Sequence, residues 1–279
     1  MLHCMSCLSF ILFFFPGTHI LFSKVENTNH IQEHLLGINN NIKLKTIVSL
    51  GNTTKSSKGS YWPASTIKIL PAIAVMRSGI KPQTHVRMKR YKGTVRNLLK
   101  QALLVSSNKA YDSLVDLVGQ DYVNNTAKQL GLKHTWLSRP YGRRGSLAYS
   151  PGYYLGNKYI RPKQAKLKHP TCSSNCTSLQ DLQKLIFFAT RYKELRKWTR
   201  RSRNGFAKVV KKHFPSTQVY CKSGYVAYHH GLTNCKFGKY IITIATPCGS
   251  WKGWKKNERL QVRLAKFVVL TYLKYKNKP

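Results

Sequence analysis

Ser65 and Lys68 lie three positions apart in the stretch Ser65-Thr66-Ile67-Lys68. On a helix, residues at this spacing share a face, one turn above the other. A lysine buried beside a serine has its charged form disfavoured, so it can accept the serine proton near neutral pH. The first backbone N–H groups of such a helix can also bind a developing oxyanion. The pair therefore indicates Ser65 as a nucleophile, Lys68 as its base and the Ser65 N–H as an oxyanion donor.

The ordinary alternative is that Ser65 caps a helix and Lys68 is solvated. An isolated match to Ser-x-x-Lys is weak evidence, because a chain rich in serine and lysine contains such matches by chance. A second match indeed begins at Ser106. Ile67 and Ile69, however, place apolar side chains on both sides of Lys68. A lysine in an apolar setting is a candidate functional group, which favours the catalytic interpretation.

Two more short motifs follow in order, Ser106-Ser107-Asn108 and Lys222-Ser223-Gly224. In order and spacing, the three motifs resemble those of the penicillin-recognising serine enzymes, the class A β-lactamases and the penicillin-binding D,D-peptidases. The signature of those enzymes is Ser-x-x-Lys, Ser-Asp-Asn and Lys-Thr-Gly. The resemblance extends from roughly Lys43 to the C-terminus. It implies a serine acyl-enzyme hydrolase or transferase that acts on β-lactams or D-Ala-D-Ala-like peptides, without a metal or organic cofactor.

The resemblance also assigns roles to the second motif. Ser106 would pass a proton to the leaving nitrogen, and Asn108 would hold the substrate amide. Ser107 stands where class A β-lactamases usually carry aspartate, a position whose side chain need not touch the substrate. The alternative for this stretch is a helix junction that is merely rich in serine and asparagine.

In the third motif, the same resemblance makes Lys222 a source of positive potential and Ser223 a hydroxyl for the substrate carboxylate. Gly224 has no side chain, which permits close approach of the backbone. The N–H of Tyr225 would complete the oxyanion hole, although a bulky side chain there departs from the family pattern. As an isolated tripeptide, Lys-Ser-Gly is usually a basic turn.

One expected group is missing from the chain. Class A β-lactamases hydrolyse their acyl-enzyme with a glutamate on a long loop, acting through a water. Between Asp121 and Asp181 this chain has no aspartate or glutamate, and the expected position falls near Pro140 or Tyr141. Acylation can still use Lys68, but deacylation by water is expected to be slow. Three side chains remain as substitute bases, each more simply explained by packing or surface contacts: Tyr141, His134 and His169.

Hydrophobic periodicity predicts an α+β protein, and the resemblance implies that its fold is of the α/β/α β-lactamase-like kind. We expect an antiparallel sheet flanked by terminal helices, with an all-helical subdomain inserted over approximately residues 65–215. Pro71 should give the first of its helices a kink or an unusual start. The predicted helices are Ser65 to Gly79, Thr94 to Leu103, Tyr111 to Val118, Asp121 to Gly131, Leu179 to Ala189 and Glu258 to Tyr275. The predicted strands are Lys43 to Leu50, a short one near Ser60, Val219 to Gly224, Gly231 to Cys235 and Tyr240 to Thr246, and Ser138 to Pro170 is expected to be a long loop.

The charge is extreme for a chain of 279 residues, because 48 Lys and Arg face only 8 Asp and Glu, a net charge of +40. Such a field attracts polyanions such as nucleic acid, anionic lipid or anionic cell-wall polymer. Sequence-specific nucleic-acid binding is disfavoured, because no zinc-finger spacing, RNA-binding aromatic motif or Gly-rich phosphate loop is present. A second function class therefore stays open, a non-catalytic module that uses a basic surface to bind anionic wall polymer or nucleic acid.

The N-terminal stretch, residues 1–23, resembles a secretory signal peptide, with an apolar run from Leu8 to Phe15 followed by Pro16. Its first residues lack lysine and arginine, and an uncleaved membrane anchor is the alternative. The prediction is an exported monomer, periplasmic or extracellular, whose single domain spans residues 24–279.

Five cysteines would remain after removal of the leader: Cys172, Cys176, Cys221, Cys235 and Cys248. In an exported protein, disulfides are expected between Cys172 and Cys176 and between Cys221 and either Cys235 or Cys248. His169 beside Cys172 and Cys176 raises the alternative of a zinc site. That alternative is disfavoured, because no second ligand pair with the usual spacing follows.

Overall fold

The computed structural model divides the chain into two compact units, Ser60–Ser202 and the combination of Met1–Gly59 with Arg203–Pro279. We call them the helical unit and the sheet unit. The structure describes residues 19–22, 47–50, 62–138, 140–141, 152–155, 157–160, 174–200, 205–226, 230–238 and 240–247, together with single positions 259, 262 and 266.

The helical unit is built around its first α-helix. Its helices are a 3₁₀ turn Ala64–Lys68, α1 Ile69–Arg77, α2 Val95–Leu103, α3 Asn108–Val118, α4 Gln120–Gln129, α5 Leu179–Ala189 and α6 Lys193–Arg200. Helix α1 contacts α2, α3, α4 and α5. Every residue of α1 from Ile69 to Val75 is buried, and full burial of one large aliphatic side chain contributes about 2 kcal/mol. The apolar sequence of α1 thus forms the centre of this unit, as predicted.

The unusual start expected from Pro71 is a change of helix type. The segment Ala64–Lys68 winds as a 3₁₀ helix, and the α-helix begins only at Ile69. Pro71 then falls in the first turn of α1, where a backbone N–H has no intrahelical acceptor. The proline therefore costs no helical hydrogen bond, and Ser65 and Lys68 both lie on the tighter turn before it.

The next two helices begin at side-chain caps. Thr94 Oγ1 accepts a hydrogen bond from Asn97 N at 3.2 Å, which confirms Thr94 as the predicted N-cap of α2. Ser107 Oγ accepts from Ala110 N, also at 3.2 Å, at the start of α3. Each cap satisfies one backbone donor and contributes about 1 kcal/mol. The segment between these helices, residues 104–107, carries Ser106 and Ser107 of the second motif, and Asn108 is the first residue of α3.

The helical unit also contains a small sheet that the sequence pattern did not reveal. Its strands are β3 His85–Met88, β4 Tyr91–Thr94, β5 Tyr153–Leu155 and β6 Lys158–Ile160, in the order β4-β3-β5-β6 with antiparallel pairing throughout. The expectation of an all-helical insertion therefore needs this addition. Strands of three or four residues carry too little alternation to stand out from a loop.

The sheet unit contains β1 His19–Phe22, β2 Ile47–Leu50, α7 Gly205–His213, β7 Val219–Val226, β8 His230–Phe237 and β9 Tyr240–Pro247. Strands β7, β8 and β9 form an antiparallel meander, and β1 and β2 both pair with β9. Helix α7 packs on β7. The three predicted strands after residue 218 are confirmed, each extended by one to three residues.

Cys221 and Cys235 are directly opposite in the register of β7 and β8 and form a disulfide with Cα atoms 4.2 Å apart. The sequence left Cys235 and Cys248 open as partners of Cys221, and the strand register selects Cys235. Cys176 is disulfide-bonded too, and its predicted partner Cys172 lies outside the described residues.

Replacing both Cys221 and Cys235 with serine is expected to lower the free energy of unfolding by about 3 kcal/mol, because the cross-link that restricts the unfolded chain is lost. Guanidinium unfolding of the double variant and the wild type, both without reductant, measures the difference. Equal denaturation midpoints would show that β7 and β8 hold together without the bond.

Several predictions fall wholly or mainly outside the described residues: the leader 1–23 apart from the backbone of 19–22 in β1, the strand near Ser60, much of the loop 138–170 and most of the helix 258–275. Arg259, Val262 and Lys266 are helical. Export and the predicted domain boundaries stay predictions. Within the described ranges, none of the helices has the length and apolar character needed to cross a membrane.

Candidate active site

Ser65 and Lys68 are in direct contact on the 3₁₀ turn. Lys68 is fully buried, and its Nζ lies 2.8 Å from Ser65 Oγ. Burial is imposed by the fold, because the turn leads straight into the apolar helix α1. Water is therefore excluded from the ammonium, and protein atoms must satisfy it.

The second motif supplies those atoms. Lys68 Nζ lies 2.5 Å from Ser106 O, 2.6 Å from Asn108 Oδ1 and 3.4 Å from Ser106 Oγ. A carbonyl oxygen and an amide oxygen can only accept hydrogen bonds, so these two contacts use two N–H groups of the lysine. The third position on Nζ faces the Ser65 hydroxyl. In the neutral amine that position is a lone pair, and the Ser65 O–H would then donate to it.

The backbone is strained on both sides of this cluster. Ser106 has φ of +65° and Ala64, next to Ser65, has φ of +48°. They are the only non-glycine residues with positive φ among those the structure describes. Such a conformation costs about 1–3 kcal/mol and persists where the surroundings enforce it. At Ser106 it accompanies an arrangement in which the carbonyl and the hydroxyl of one residue both reach Lys68.

Ser107 has a structural role. Its side chain caps α3 through the contact with Ala110 N described above, and Asn108 is the first residue of that helix. Aspartate and serine are both good N-cap residues. The departure from the family pattern at this position therefore preserves the start of α3 and the position of Asn108.

The third motif lies on β7 in the sheet unit. Lys222 is buried, its Nζ donates to Ser223 O at 3.2 Å, and desolvation lowers its pKa to about 8. Ser223 Oγ lies 3.0 Å from Thr233 Oγ1, its cross-strand partner. Gly224 and Tyr225 follow on the same strand.

The segment expected to carry the missing glutamate is tied to α3. Tyr141 N donates to Asp112 Oδ1 at 2.8 Å, and the Tyr141 ring stacks on Tyr111 with centroids 4.8 Å apart. Burial raises the pKa of Tyr141 above its ordinary value, so its hydroxyl stays protonated and is a poor base. His134 is exposed, and its backbone N–H donates to Asp181. His169 lies outside the described residues.

Two contributors to this site escaped the sequence analysis. Asp112 is fully buried and holds the Tyr141 backbone. Its position one turn after Asn108 on α3 was the available signal. Ala64 carries no signal at all, because its backbone conformation is set by the surrounding packing. Within the described residues, no group of three or more His, Cys, Asp or Glu side chains is arranged to hold a metal ion.

Comparison with known proteins agrees with this geometry. The family model described as the β-lactamase enzyme family matches residues 44–234, which include all three motifs. The chain belongs to the β-lactamase enzyme family. As a member, it is a serine hydrolase of the β-lactamase and penicillin-binding kind. A search of curated proteins finds no match.

Solved structures share the fold of this β-lactamase-family chain. A β-lactamase from Sphaerobacter thermophilus DSM 20745 is 14% identical, with TM-score 0.58 over 96% of this chain and 92% of that one. A β-lactamase from Francisella tularensis is 14% identical, with TM-score 0.59 over 94% of each chain. A mutant of PBP-A, solved as an acyl-enzyme complex with penicillin G, is 13% identical, with TM-score 0.56 over 95% of this chain and 91% of that one. The predicted fold class is thus confirmed.

Proposed function

We propose that this protein is a serine acyl-enzyme hydrolase or transferase, working outside the cytoplasm on β-lactams or D-Ala-D-Ala-like peptides and releasing its acyl group slowly. The observation that carries the proposal is the contact between Ser65 Oγ and Lys68 Nζ, together with the contacts of Nζ to Ser106 O and Asn108 Oδ1, two atoms that only accept hydrogen bonds. The PBP-A mutant, which shares the fold, forms an acyl-enzyme with penicillin G.

In the proposed acylation, Ser65 Oγ attacks the carbonyl carbon of the scissile amide while its proton passes to the Lys68 amine. The C–N bond then breaks, and the leaving nitrogen takes a proton through the Ser106 hydroxyl, which regains one from Lys68. An ester on Ser65 results. The Ser65 and Tyr225 backbone N–H groups would stabilise the oxyanion.

Binding roles follow for the remaining motif residues. Asn108 would hold the substrate amide, as its Oδ1 and Lys68 keep each other in place. Lys222 and Ser223 would attract and bind the substrate carboxylate, while Gly224 leaves room beside the backbone. The carboxylate that clears the acyl-enzyme in class A β-lactamases has no counterpart in the sequence near Tyr141, which supports slow release.

The experiment is covalent labelling with fluorescent penicillin. The wild type should gain one label on Ser65, seen as a single adduct by intact mass, and Ser65→Ala should gain none. Labelling that persists in Ser65→Ala would overturn the assignment of the nucleophile.

The second candidate is a non-catalytic module that binds an anionic wall polymer or nucleic acid, favoured by the net charge of +40. It predicts no penicillin label under any condition, together with binding to polyanions that weakens as salt is raised. The labelling experiment therefore separates the two candidates.

The reduced pKa of Lys222, about 8, gives the proposal a pH dependence. Below that pH Lys222 carries the charge that attracts a carboxylate, and the charge is lost as the pH rises through about 8. As the pH rises through about 8, the second-order rate of penicillin labelling should fall about tenfold. A tenfold change corresponds to about 1.4 kcal/mol, close to the free energy contributed by one hydrogen bond to a charged group. Lys222→Gln should label slowly at every pH in the range. A variant that keeps the wild-type pH profile would remove Lys222 from the proposed role.

A further inference from the structure

The small sheet of the helical unit carries a row of exposed side chains across all four strands. Lys92 on β4 pairs with Arg87 on β3, Arg87 pairs with Tyr154 on β5, and Tyr154 pairs with Tyr159 on β6. Residues directly opposite each other in antiparallel strands point to the same face. All four are exposed, the two tyrosines by 38% and 51%. We call this set the β3–β6 row, and with strand spacing near 4.8 Å it spans about 14 Å.

The opposite face of the same sheet is packed against the protein. Val86 and Tyr153, each next in sequence to a member of the row, are 2% and 5% exposed. The sheet therefore has one buried and one solvent-facing side, as antiparallel sheets commonly do. Beside the pair His85 and Thr94 on the same face, its solvent-facing side carries two cations followed by two aromatic rings.

The aromatic half of the row is held in place by the backbone. Gly152 has φ of +78°, and a side chain there would collide with the Tyr159 hydroxyl. The Tyr159 hydroxyl therefore occupies space that is open only because residue 152 is glycine. The Tyr159 ring is tilted 57° against that of Tyr154, with the ring centroids 5.2 Å apart. A ring fixed in this way can bind a partner with little loss of side-chain entropy.

The cationic half is coupled to the aromatic half. The Arg87 guanidinium lies 4.5 Å from the centroid of Tyr154, a cation–π contact that orients the arginine. Residues 85–94 and 152–160, which contain the four strands, include no aspartate or glutamate. The charge complementary to this face is therefore negative.

We propose that the β3–β6 row is a binding surface for the glycan strand of peptidoglycan, separate from the acylation site. Tyr159 and Tyr154 would contact the sugar rings, and Arg87 and Lys92 would bind the free carboxylates of the stem peptides. This inference rests on the proposed function, in which the substrate is a peptide attached to a glycan strand of peptidoglycan. A polymer with sugar rings and regularly placed carboxylates can bind both the tyrosines and the cations of the row, whereas a free anion can bind only the cations.

The test is co-sedimentation of the full chain with insoluble peptidoglycan from which covalently attached anionic polymers have been removed. The wild type should bind, and Arg87→Gln/Lys92→Gln should bind about tenfold more weakly, since two exposed ion pairs are lost. Tyr159→Ser should show a similar loss, and Tyr159→Phe, which keeps the ring, should bind like the wild type.

Matched controls separate the row from the general charge of the protein. Lys128→Gln/Lys133→Gln removes two exposed cations elsewhere in the same unit, and Tyr122→Ser removes a tyrosine that is also 38% exposed. Both should bind as the wild type does. All variants should keep the wild-type thermal midpoint and penicillin labelling rate, because the substituted side chains are exposed and none of them belongs to the three motifs.

Failure of this inference can be distinguished from failure of the proposed function. Ser65→Ala should still bind peptidoglycan, because the row does not depend on acylation. If the wild type bound peptidoglycan but gained no penicillin label, the binding surface would stand and the proposed enzyme activity would be wrong. If Lys128→Gln/Lys133→Gln lost as much peptidoglycan binding as Arg87→Gln/Lys92→Gln, the binding would depend on the total positive charge and not on the row. That result would overturn the inference. Stronger binding to a single-stranded oligonucleotide than to peptidoglycan, lost in Tyr159→Ser, would identify the row as a nucleic-acid surface and overturn it as well.

Discussion

Replacing Lys68 with methionine is expected to slow penicillin labelling of Ser65 about 1000-fold, within the range that general-base catalysis contributes. Methionine fills a similar volume in the apolar site but cannot take the Ser65 proton. The rate is measured as the pseudo-first-order appearance of the fluorescent adduct at several penicillin concentrations. A loss in the rate of adduct formation at saturating penicillin, with half-saturation unchanged, would place the effect on chemistry.

The chain offers its own control for this prediction. Lys109 completes the second Ser-x-x-Lys match, which begins at Ser106, but its side chain is exposed on α3. Lys109→Met should therefore label at the wild-type rate. If Lys68→Met reacted as fast as the wild type while keeping its thermal midpoint, Lys68 would have no role as a base.

Hydrolysis of nitrocefin should show a burst of one equivalent followed by a much slower steady state. In the proposed mechanism acylation uses Lys68 and Ser106, but the stretch between Asp121 and Asp181 contains no aspartate or glutamate that could activate water for the second step. Since a positioned base contributes about 100-fold to 10,000-fold, the steady rate should be lower than the burst rate by that factor. Stopped-flow absorbance gives both rates, and intact mass of the quenched enzyme should show the adduct during the slow phase.

Tyr141→Phe tests whether the residue near the missing glutamate compensates for its loss. The raised pKa of the Tyr141 hydroxyl keeps it protonated, so the variant should keep both nitrocefin rates. The hydroxyl is not needed for the ring stacking on Tyr111. Rapid turnover by the wild type that disappears in Ser65→Ala would contradict slow deacylation, and loss of turnover in Tyr141→Phe would identify the hydroxyl as the substitute base.

The parts of this fold that sequence reasoning predicts are those with local causes. The apolar run of α1, the Thr94 cap and the strands after residue 218 each depend on neighbouring residues. The contact between Ser65 and Lys68 is of the same kind, because three positions on a helical turn bring the two side chains together. Local spacing and family motifs therefore sufficed to predict the contact between Ser65 and Lys68, while their roles as nucleophile and base stay predictions.

The parts that it could not predict depend on residues far apart in the chain. Pairing of Val86 with Leu155 builds the small sheet, and nothing within three-residue strands announces such a partner. The choice of Cys235 over Cys248 follows from the register of β7 and β8. The positive φ of Ser106, which serine does not favour by itself, accompanies contacts with Lys68, 38 positions away in the chain.

The capping role of Ser107 has a consequence for finding relatives of this chain. A strict Ser-Asp-Asn pattern demands one residue type at a position where the requirement is only to accept a hydrogen bond from Ala110 N. Serine, threonine, aspartate and asparagine all meet that requirement. A sequence search that allows these four residues at the middle position should recover divergent relatives that the strict Ser-Asp-Asn pattern misses. It should also require a lysine, flanked by apolar residues, three positions after the first serine.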